Sequence, residues 1–292
     1  MSVKKWLLKN TASLAGKTVA ITGSTGALGR ALCLYLAELG AALVLVDRNL
    51  VRSTEFCDEL REQFPSITVR CITADLACME SVKKAAAELG TLGVDIFIHN
   101  AGAYAIPRHK CDTGLDNVFQ INFLSPYYLV RTLLPQLRAR KGRAVIVSSI
   151  AHDYSKADPK DADFSTRSRA SLVYGNAKRY LTFSLAELFA NEQDATLSIT
   201  HPGISFTGIT AHYPKVIYAL MKYPMKLIFM KPKKACLSTL QGVFEPTAYG
   251  TWLGPRCFNV WGLPKKHSLR TADEKERAYI AQTAERLYEK HK

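Results

Sequence analysis

The chain has 292 residues, 48% of them apolar and 10% aromatic, enough to bury a substantial core and unlike a disordered composition. Seven cysteines (positions 33, 57, 71, 78, 111, 236 and 257) are odd in number and never spaced as CxxC, which argues against a disulfide framework or zinc site, so no metal is expected and a reducing cytosol fits best. The net charge of +14 suits an anionic partner, but no basic run interleaved with aromatics marks a nucleic-acid module; the expectation is a solvated basic surface, with anionic lipid as the alternative contact.

Met1 to Asn10 holds only Trp6-Leu7-Leu8 between lysines, too short for a signal-peptide core. Thr18–Thr22 predicts a strand, and Ala27–Leu39 a helix closed by Gly40. Ala42–Val46 is the next strand, followed by a helix from Val51 to Phe64, stopped by Pro65. Ile67–Thr73 and Val94–Ile98 are two further strands with a helix at Cys78–Leu89 between them. A long helix near Asp112–Ala139 precedes a strand at Ala144–Val147, a helix at about Ser171–Ala190 and a strand at Leu197–Thr200. Cys257–Val260 is the candidate for a seventh strand, and 205–256 has the character of an insertion. Its apolar run Val216–Met230 is broken by Lys222, Pro224 and Lys226 and is too short to span a bilayer.

Continuous apolar strands separated by helices imply βαβ crossovers, hence one α/β domain over residues 1–292 with a doubly wound parallel sheet and helices on both faces. In such sheets ligands bind beyond the carboxyl ends of the strands. After strand one comes Thr22-Gly23-Ser24-Thr25-Gly26-Ala27-Leu28-Gly29, whose glycines let backbone approach a pyrophosphate lying against a helix N-terminus. Asp47, at the end of strand two, can accept hydrogen bonds from an adenosine ribose. Asp75-Leu76 and His99-Asn100-Ala101-Gly102 follow strands three and four, where adenine and the rest of the nucleotide would lie.

The order of these motifs, with Asn122 in the next helix, Ser148-Ser149 after strand five, Tyr174 and Lys178 spaced as YxxxK, and Pro202-Gly203 after strand six, resembles the short-chain dehydrogenase/reductase family over roughly residues 15 to 210. Ala27 departs from many single-domain members, which carry glycine there. The resemblance implies a Rossmann fold and alcohol–carbonyl interconversion with Tyr174, Lys178, Ser149 and Asn122 as the catalytic set. Tyr218/Lys222 and Tyr288/Lys292 also fit YxxxK, but only Tyr174 opens a helix after a strand ending in paired serines. Residues i and i+4 share a helical face, so Lys178 lies one turn from Tyr174, and its charge is expected to favour the phenolate. Ser149, with Ser148 as the alternative, would position the substrate oxygen; Asn122 would hold a water linking Lys178 to solvent. Pro202, Gly203 and Thr207 would cap the nicotinamide.

Asp47 would repel a 2′-phosphate and favours NAD, whereas Arg48 is the type of residue that receives that phosphate, leaving NADP as the alternative. The 25-residue interval between Ser149 and Tyr174, with Ser148–His152 and His201–Gly203, resembles the retinol dehydrogenase-like branch and implies a lipophilic substrate. In that reading 152–170 is a loop over the active site. An apolar lid at about 205–235 supplies Tyr213, Tyr218, Leu220, Met221 or Phe229 and touches anionic membrane through its lysines. The family also implies a homodimer through helices at 113–139 and 171–190. A catalytically silent nucleotide sensor or scaffold is the competing function.

Overall fold

Strand β1 (Thr18–Thr22) and strand β2 (Ala42–Asp47) flank the helix α2 (Ala27–Glu38), and α1 (Val3–Asn10) precedes them. The computed structural model describes residues 2–203, 230–269 and 271–292. The chain continues through α3 (Leu50–Gln63), β3 (Val69–Thr73), α4 (Met79–Thr91) and β4 (Ile96–His99). A short helix α5 (Asn117–Phe119) runs through a π-turn (Gln120–Leu124) into α6 (Ser125–Ala139). Then follow β5 (Arg143–Val147), a 3₁₀ turn (Ile150–Asp153), α7 (Ala170–Leu188) and β6 (Thr196–Thr200). The C-terminal part holds α8 (Pro232–Ala235), α9 (Leu237–Phe244), β7 (Thr251–Cys257), β8 (Trp261–Ser268) and α10 (Glu274–His291).

The sheet order is β3-β2-β1-β4-β5-β6-β7-β8. Neighbours are parallel from β3 to β7, and β8 returns antiparallel at the edge. Strand order reverses between β1 and β4, the position at which doubly wound sheets open a crevice. Alternating strand side chains feed two cores, as a period of two requires. Ala20, Val44, Phe97 and Ile146 pack under α4, α6, α7 and α10. Val19, Ile21, Leu45 and Ile98 pack under α1, α2, α3 and α9, with Trp6 closing the N-terminal end. Local chemistry sets the helix starts: Asn49 accepts from the Arg52 amide at 3.1 Å, and Asp273 from the Glu276 amide at 2.9 Å.

Three expectations need correction. The long helix begins at Asn117, not near Asp112, and is interrupted by the π-turn. Of Cys257–Val260 only Cys257 is strand, as the last residue of β7; the rest is the reversal between β7 and β8, with Phe258 and Asn259 both left-handed at φ of 52° and 57°. Gly254 and Pro255 inside β7, and Gly262 and Pro264 inside β8, hide these strands from any propensity argument. Residues 230–256 are therefore not an insertion: they carry α8, α9 and the seventh strand. The lid residues Phe206 to Phe229, Thr207 and the Tyr218/Lys222 pair among them, lie outside the described residues.

Candidate active site

A cleft of about 780 Å³ lies along the carboxyl ends of β1 to β6, running from Arg48 and Arg52 at one end to Tyr174 and Gly203 at the other. Nearly every residue assigned to the nucleotide or the chemistry from sequence lines it: Gly23, Thr25, Gly26, Ala27, Leu28, Gly29, Asp47, Arg48, Asp75, Leu76, Asn100, Ala101, Gly102, Ser149, Tyr174, Lys178, Pro202 and Gly203. Asn122 stands behind this wall.

The glycine loop is set by contacts of its own backbone. Gly23 sits at φ 69°, and a Cβ there would meet Ala101 Cα at 2.9 Å; a Cβ on Gly29 would stand 2.1 Å from Gly23 O. Glycine is the residue that satisfies both constraints. Gly26 caps α2 without a side-chain hydrogen bond, so the first-turn amides remain available to an anion. This cradle fits a dinucleotide pyrophosphate.

Thr22, which sequence reasoning passed over, holds the neighbouring loop. Its hydroxyl oxygen accepts from the amides of Asn100 and Ala101, both at 3.1 Å. With both lone pairs engaged, its proton goes to His99 Nδ1 at 3.0 Å, which fixes that buried, neutral ring with its proton on Nε2. Asn100 Nδ2 donates back to the carbonyls of Thr22 and Gly23. The strand ends of β1 and β4 are thus one unit.

Asp47 behaves differently from its assignment. Its buried carboxylate accepts from the Ser24 hydroxyl, the Thr25 amide (3.2 Å) and hydroxyl (3.0 Å), and the Ser53 hydroxyl (3.4 Å). It braces the glycine loop from β2 and has little capacity left for a ribose. Arg48 and Arg52 beside it are exposed, and no ion pair holds either among the described residues. Asp75 turns the chain into α4, accepting from the Ala77 amide at 2.9 Å.

At the opposite end, Tyr174 and Lys178 project from the first turns of α7. Ser149 hydrogen-bonds the Tyr174 phenol, and Tyr104 packs edge-on against its ring at 5.3 Å. Burial pushes the phenol above the ordinary tyrosine value, with the Ser149 hydrogen bond opposing it. The expected acidification by Lys178 does not prevail: Lys178, 2% exposed, is itself drawn down to about 7 by burial and carries only part of its charge near neutrality. Its Nζ donates to Val147 O at 3.0 Å and lies 5.7 Å from the Tyr174 ring centre.

The paired serines separate cleanly. Ser148 points into the core, its hydroxyl 2.6 Å from that of Thr182, whereas Ser149 faces the cleft and caps the 3₁₀ turn through the Ala151 amide. Asn122 lies in the π-turn, a feature common at functional sites. Both hydrogens of its amide are spent, on Ala103 O (2.8 Å) and Val118 O (2.9 Å), while Oδ1 accepts from the Ala103 amide. Its side chain therefore ties α5 to the Asn100–Ala103 loop and offers a water only the second lone pair of Oδ1.

A buried clamp behind the site has no sequence signature. Arg179, 1% exposed, pairs both guanidinium arms with Glu276 of α10 at 2.7 Å and donates to His152 O at 2.9 Å. Glu276 also accepts from the Ala157 amide at 2.7 Å. His152 in turn holds Ser149 O through Nδ1 at 2.6 Å. The segment 152–170 expected over the site is pinned beside α7 instead: Arg108 donates to Phe164 O, and Asn176 to Ala162 O, both at 2.8 Å. Of that segment, Tyr154 lines the cleft. His201, stacked on Trp252 at 5.3 Å, is pushed down to about 4 by burial and stays neutral. Tyr288, by contrast, packs on Tyr128 and Arg131, away from the cleft.

Known proteins resemble this chain in sequence and in fold. Residues 17–158 match the model of the short chain dehydrogenase family. Human retinol dehydrogenase 13 is 28% identical over 69% of this chain, an alignment spanning 62% of that protein. Mouse polyprenol dehydrogenase is 26% identical over 80% of this chain and 73% of its own length. The crystal structure of an uncharacterized protein from Mycobacterium paratuberculosis superposes with a TM-score of 0.78 and 24% identity, covering 96% of both chains; at that identity it speaks for the fold.

Proposed function

The chain belongs to the short-chain dehydrogenase/reductase family, and from that premise we propose that it interconverts a lipophilic alcohol and its ketone or aldehyde, with Tyr174 as the proton carrier. The observation behind this reading is the contact of the Tyr174 phenol with Ser149, one helical turn from Lys178, in the cleft that begins at the glycine loop. A nicotinamide dinucleotide, NAD or NADP, held on that loop supplies or accepts the hydride.

The chain's own groups do the rest. Ser149 donates to the substrate oxygen and fixes it beside the phenol, and Tyr174 gives a proton to a carbonyl or takes one from an alcohol. A buried phenol with a raised pKa holds its proton at neutral pH, which suits the direction that protonates a carbonyl. Lys178, poised at about 7, can gain and lose a proton at working pH and so resupply Tyr174. Asn122 positions the loop that passes Lys178: a Cβ on Gly102 would stand 2.9 Å from Asn122 Oδ1 and 3.6 Å from Lys178 Nζ. The wall around Tyr174 is built from Tyr104, Ile106, Ile150 and Tyr154, and such a surface rewards an apolar substrate. The names of the retinol and polyprenol dehydrogenases point the same way.

Tyr174→Phe tests the reading. Turnover on a panel of lipophilic alcohols and aldehydes should fall at least about a thousandfold, within the range for removing a general acid, while NADH or NADPH affinity by fluorescence titration stays within about twofold. Retained turnover would overturn the assignment. A parent protein that binds dinucleotide tightly yet exchanges no hydride with any of the panel would instead be the sensor or scaffold.

A further inference from the structure

The reversal between β7 and β8 carries a feature that folding does not explain. Two successive left-handed residues make the hairpin turn that favours Asn-Gly, yet the first of them is Phe258 at φ 52°, and it is 94% exposed. A bulky side chain in that conformation is unfavourable, and here its ring gains nothing from burial. Three residues on, Trp261 is 47% exposed, with Lys234 Nζ 3.6 Å from its ring centre. Arg256 stands on β7 two residues before Phe258, and Lys231 and Lys233 flank and lie within α8, the helix that carries Lys234; all three are exposed. The single acid between positions 230 and 269 is Glu245, and it is paired with Lys266. The tip is thus a pair of aromatics beside cations that no ion pair holds among the described residues.

We propose that this hairpin tip docks the protein on an anionic bilayer surface, with Phe258 and Trp261 entering the headgroup boundary and Lys231, Lys233, Lys234 and Arg256 meeting lipid phosphates and carboxylates. Amphipathic rings flanked by lysine and arginine are the chemistry of that interface, and each cation near an anionic leaflet adds attraction. The tip's place in the fold gives the docking a consequence. β7 runs parallel to β6, so the tip lies at the same end of the sheet as the cleft, and it touches the cleft wall: a Cβ on Gly203 would stand 2.5 Å from Val260 O and 2.7 Å from Pro255 Cγ. Docking through the tip holds that rim against the membrane, where an apolar alcohol or aldehyde partitions. This last step rests on the lipophilic-substrate reading; the docking itself does not.

The full-length protein, mixed with sedimentable vesicles of phosphatidylcholine alone or with about a third phosphatidylserine, provides the test. Binding should need phosphatidylserine and weaken as salt rises. Phe258→Asn should lower the partition coefficient about tenfold, the order expected for withdrawing one aromatic side chain from an apolar environment. Because asparagine tolerates the left-handed conformation, this variant should melt no lower than the parent, so lost binding cannot be ascribed to unfolding. Trp6 and Trp252 are each 3% exposed, which makes Trp261 the reporter: brominated acyl chains should quench parent fluorescence, and Trp261→Phe should abolish the quenching. Absence of binding to the anionic vesicles, binding unchanged by Phe258→Asn, or fluorescence indifferent to brominated lipid would each overturn the proposal. Because these readouts are of binding, none depends on whether Tyr174 turns over substrate.

Discussion

At the glycine-loop end of the cleft, groups on adjacent strand ends hold one another. Thr22 takes the amides of Asn100 and Ala101, and Asp47 takes the donors of Ser24, Thr25 and Ser53. At the Tyr174 end, the same job falls to segments that the strand order does not bring together. Arg179 reaches α10 through Glu276, and Glu276 reaches the loop after the 3₁₀ turn at Ala157. The first half is held by neighbouring strand ends; the second depends on the C-terminal helix that closes it. One glycine in each half exposes the difference. A Cβ on Gly29 would fall 2.1 Å from Gly23 O, and one on Gly175 would fall 2.3 Å from Ala151 O. Gly29→Ala should therefore disrupt the pyrophosphate cradle and weaken dinucleotide binding by more than about a hundredfold, since backbone amides there provide most of the grip. Gly175→Ala should displace the 3₁₀ turn beside Tyr174, lowering kcat while leaving dinucleotide affinity within a few fold. Equal loss of binding in both variants would show that the halves are not separable.

Legibility in the sequence follows the same division. The glycine loop, Asn100–Gly102 and the Tyr174/Lys178 pair are visible because each depends on local spacing at a strand end or along one helix. The choice of Tyr174 over Tyr288 needed only its neighbours in the chain, and Tyr288 turns out to be core. What could not be read depends on who donates to whom across the fold. The carboxylate of Asp47 is spoken for by serines whose hydroxyls reach it only after the loop and α3 close. Ser148 and Ser149 differ because consecutive residues leaving β5 face opposite ways, and the partner of the inner one, Thr182, lies 34 residues away. β7 and β8 carry glycine and proline where periodicity would have shown, and the Arg179–Glu276 clamp has no motif at all.

Lys178 allows a thermodynamic test of the half of the cleft that holds Tyr174. A free lysine titrates near 10.5 and this one near 7, so between those pH values the folded protein binds fewer protons than the unfolded chain. Stability should rise with pH across that window and be lowest at and below 7. Lys178→Met removes the penalty of desolvating a charge but leaves Val147 O without its donor, which returns about 1–3 kcal/mol. The expected balance at pH 7 is a variant that is inactive yet more stable by about 1–3 kcal/mol, with a flatter dependence of Tm on pH between 7 and 10. A lower Tm at pH 7 would mean that Lys178 is held charged, and the proton-resupply role would lose its basis.

The smallest effect concerns the adenosine end, where the sequence argument and the geometry pull apart. On sequence, Asp47 repels a 2′-phosphate and selects NAD. In the fold, four donors from Ser24, Thr25 and Ser53 converge on that carboxylate, so its charge is already answered from the protein side. Arg48 and Arg52, four positions apart, border the same end of the cleft, exposed and free of ion pairs among the described residues. A guanidinium is the better partner for a phosphate, and a hydrogen bond to a charged group contributes about 1.5–3 kcal/mol. Titration should thus show NADPH binding tighter than NADH. Arg48→Ala should weaken NADPH about tenfold and leave NADH within twofold, with Arg52→Ala doing the same to a smaller degree. Asp47→Ala should weaken both nucleotides together, because it releases the glycine loop rather than opening room for phosphate. A parent that prefers NADH, joined to an Asp47→Ala variant that gains NADPH alone, would restore the carboxylate as the selector and leave the arginines as surface charge.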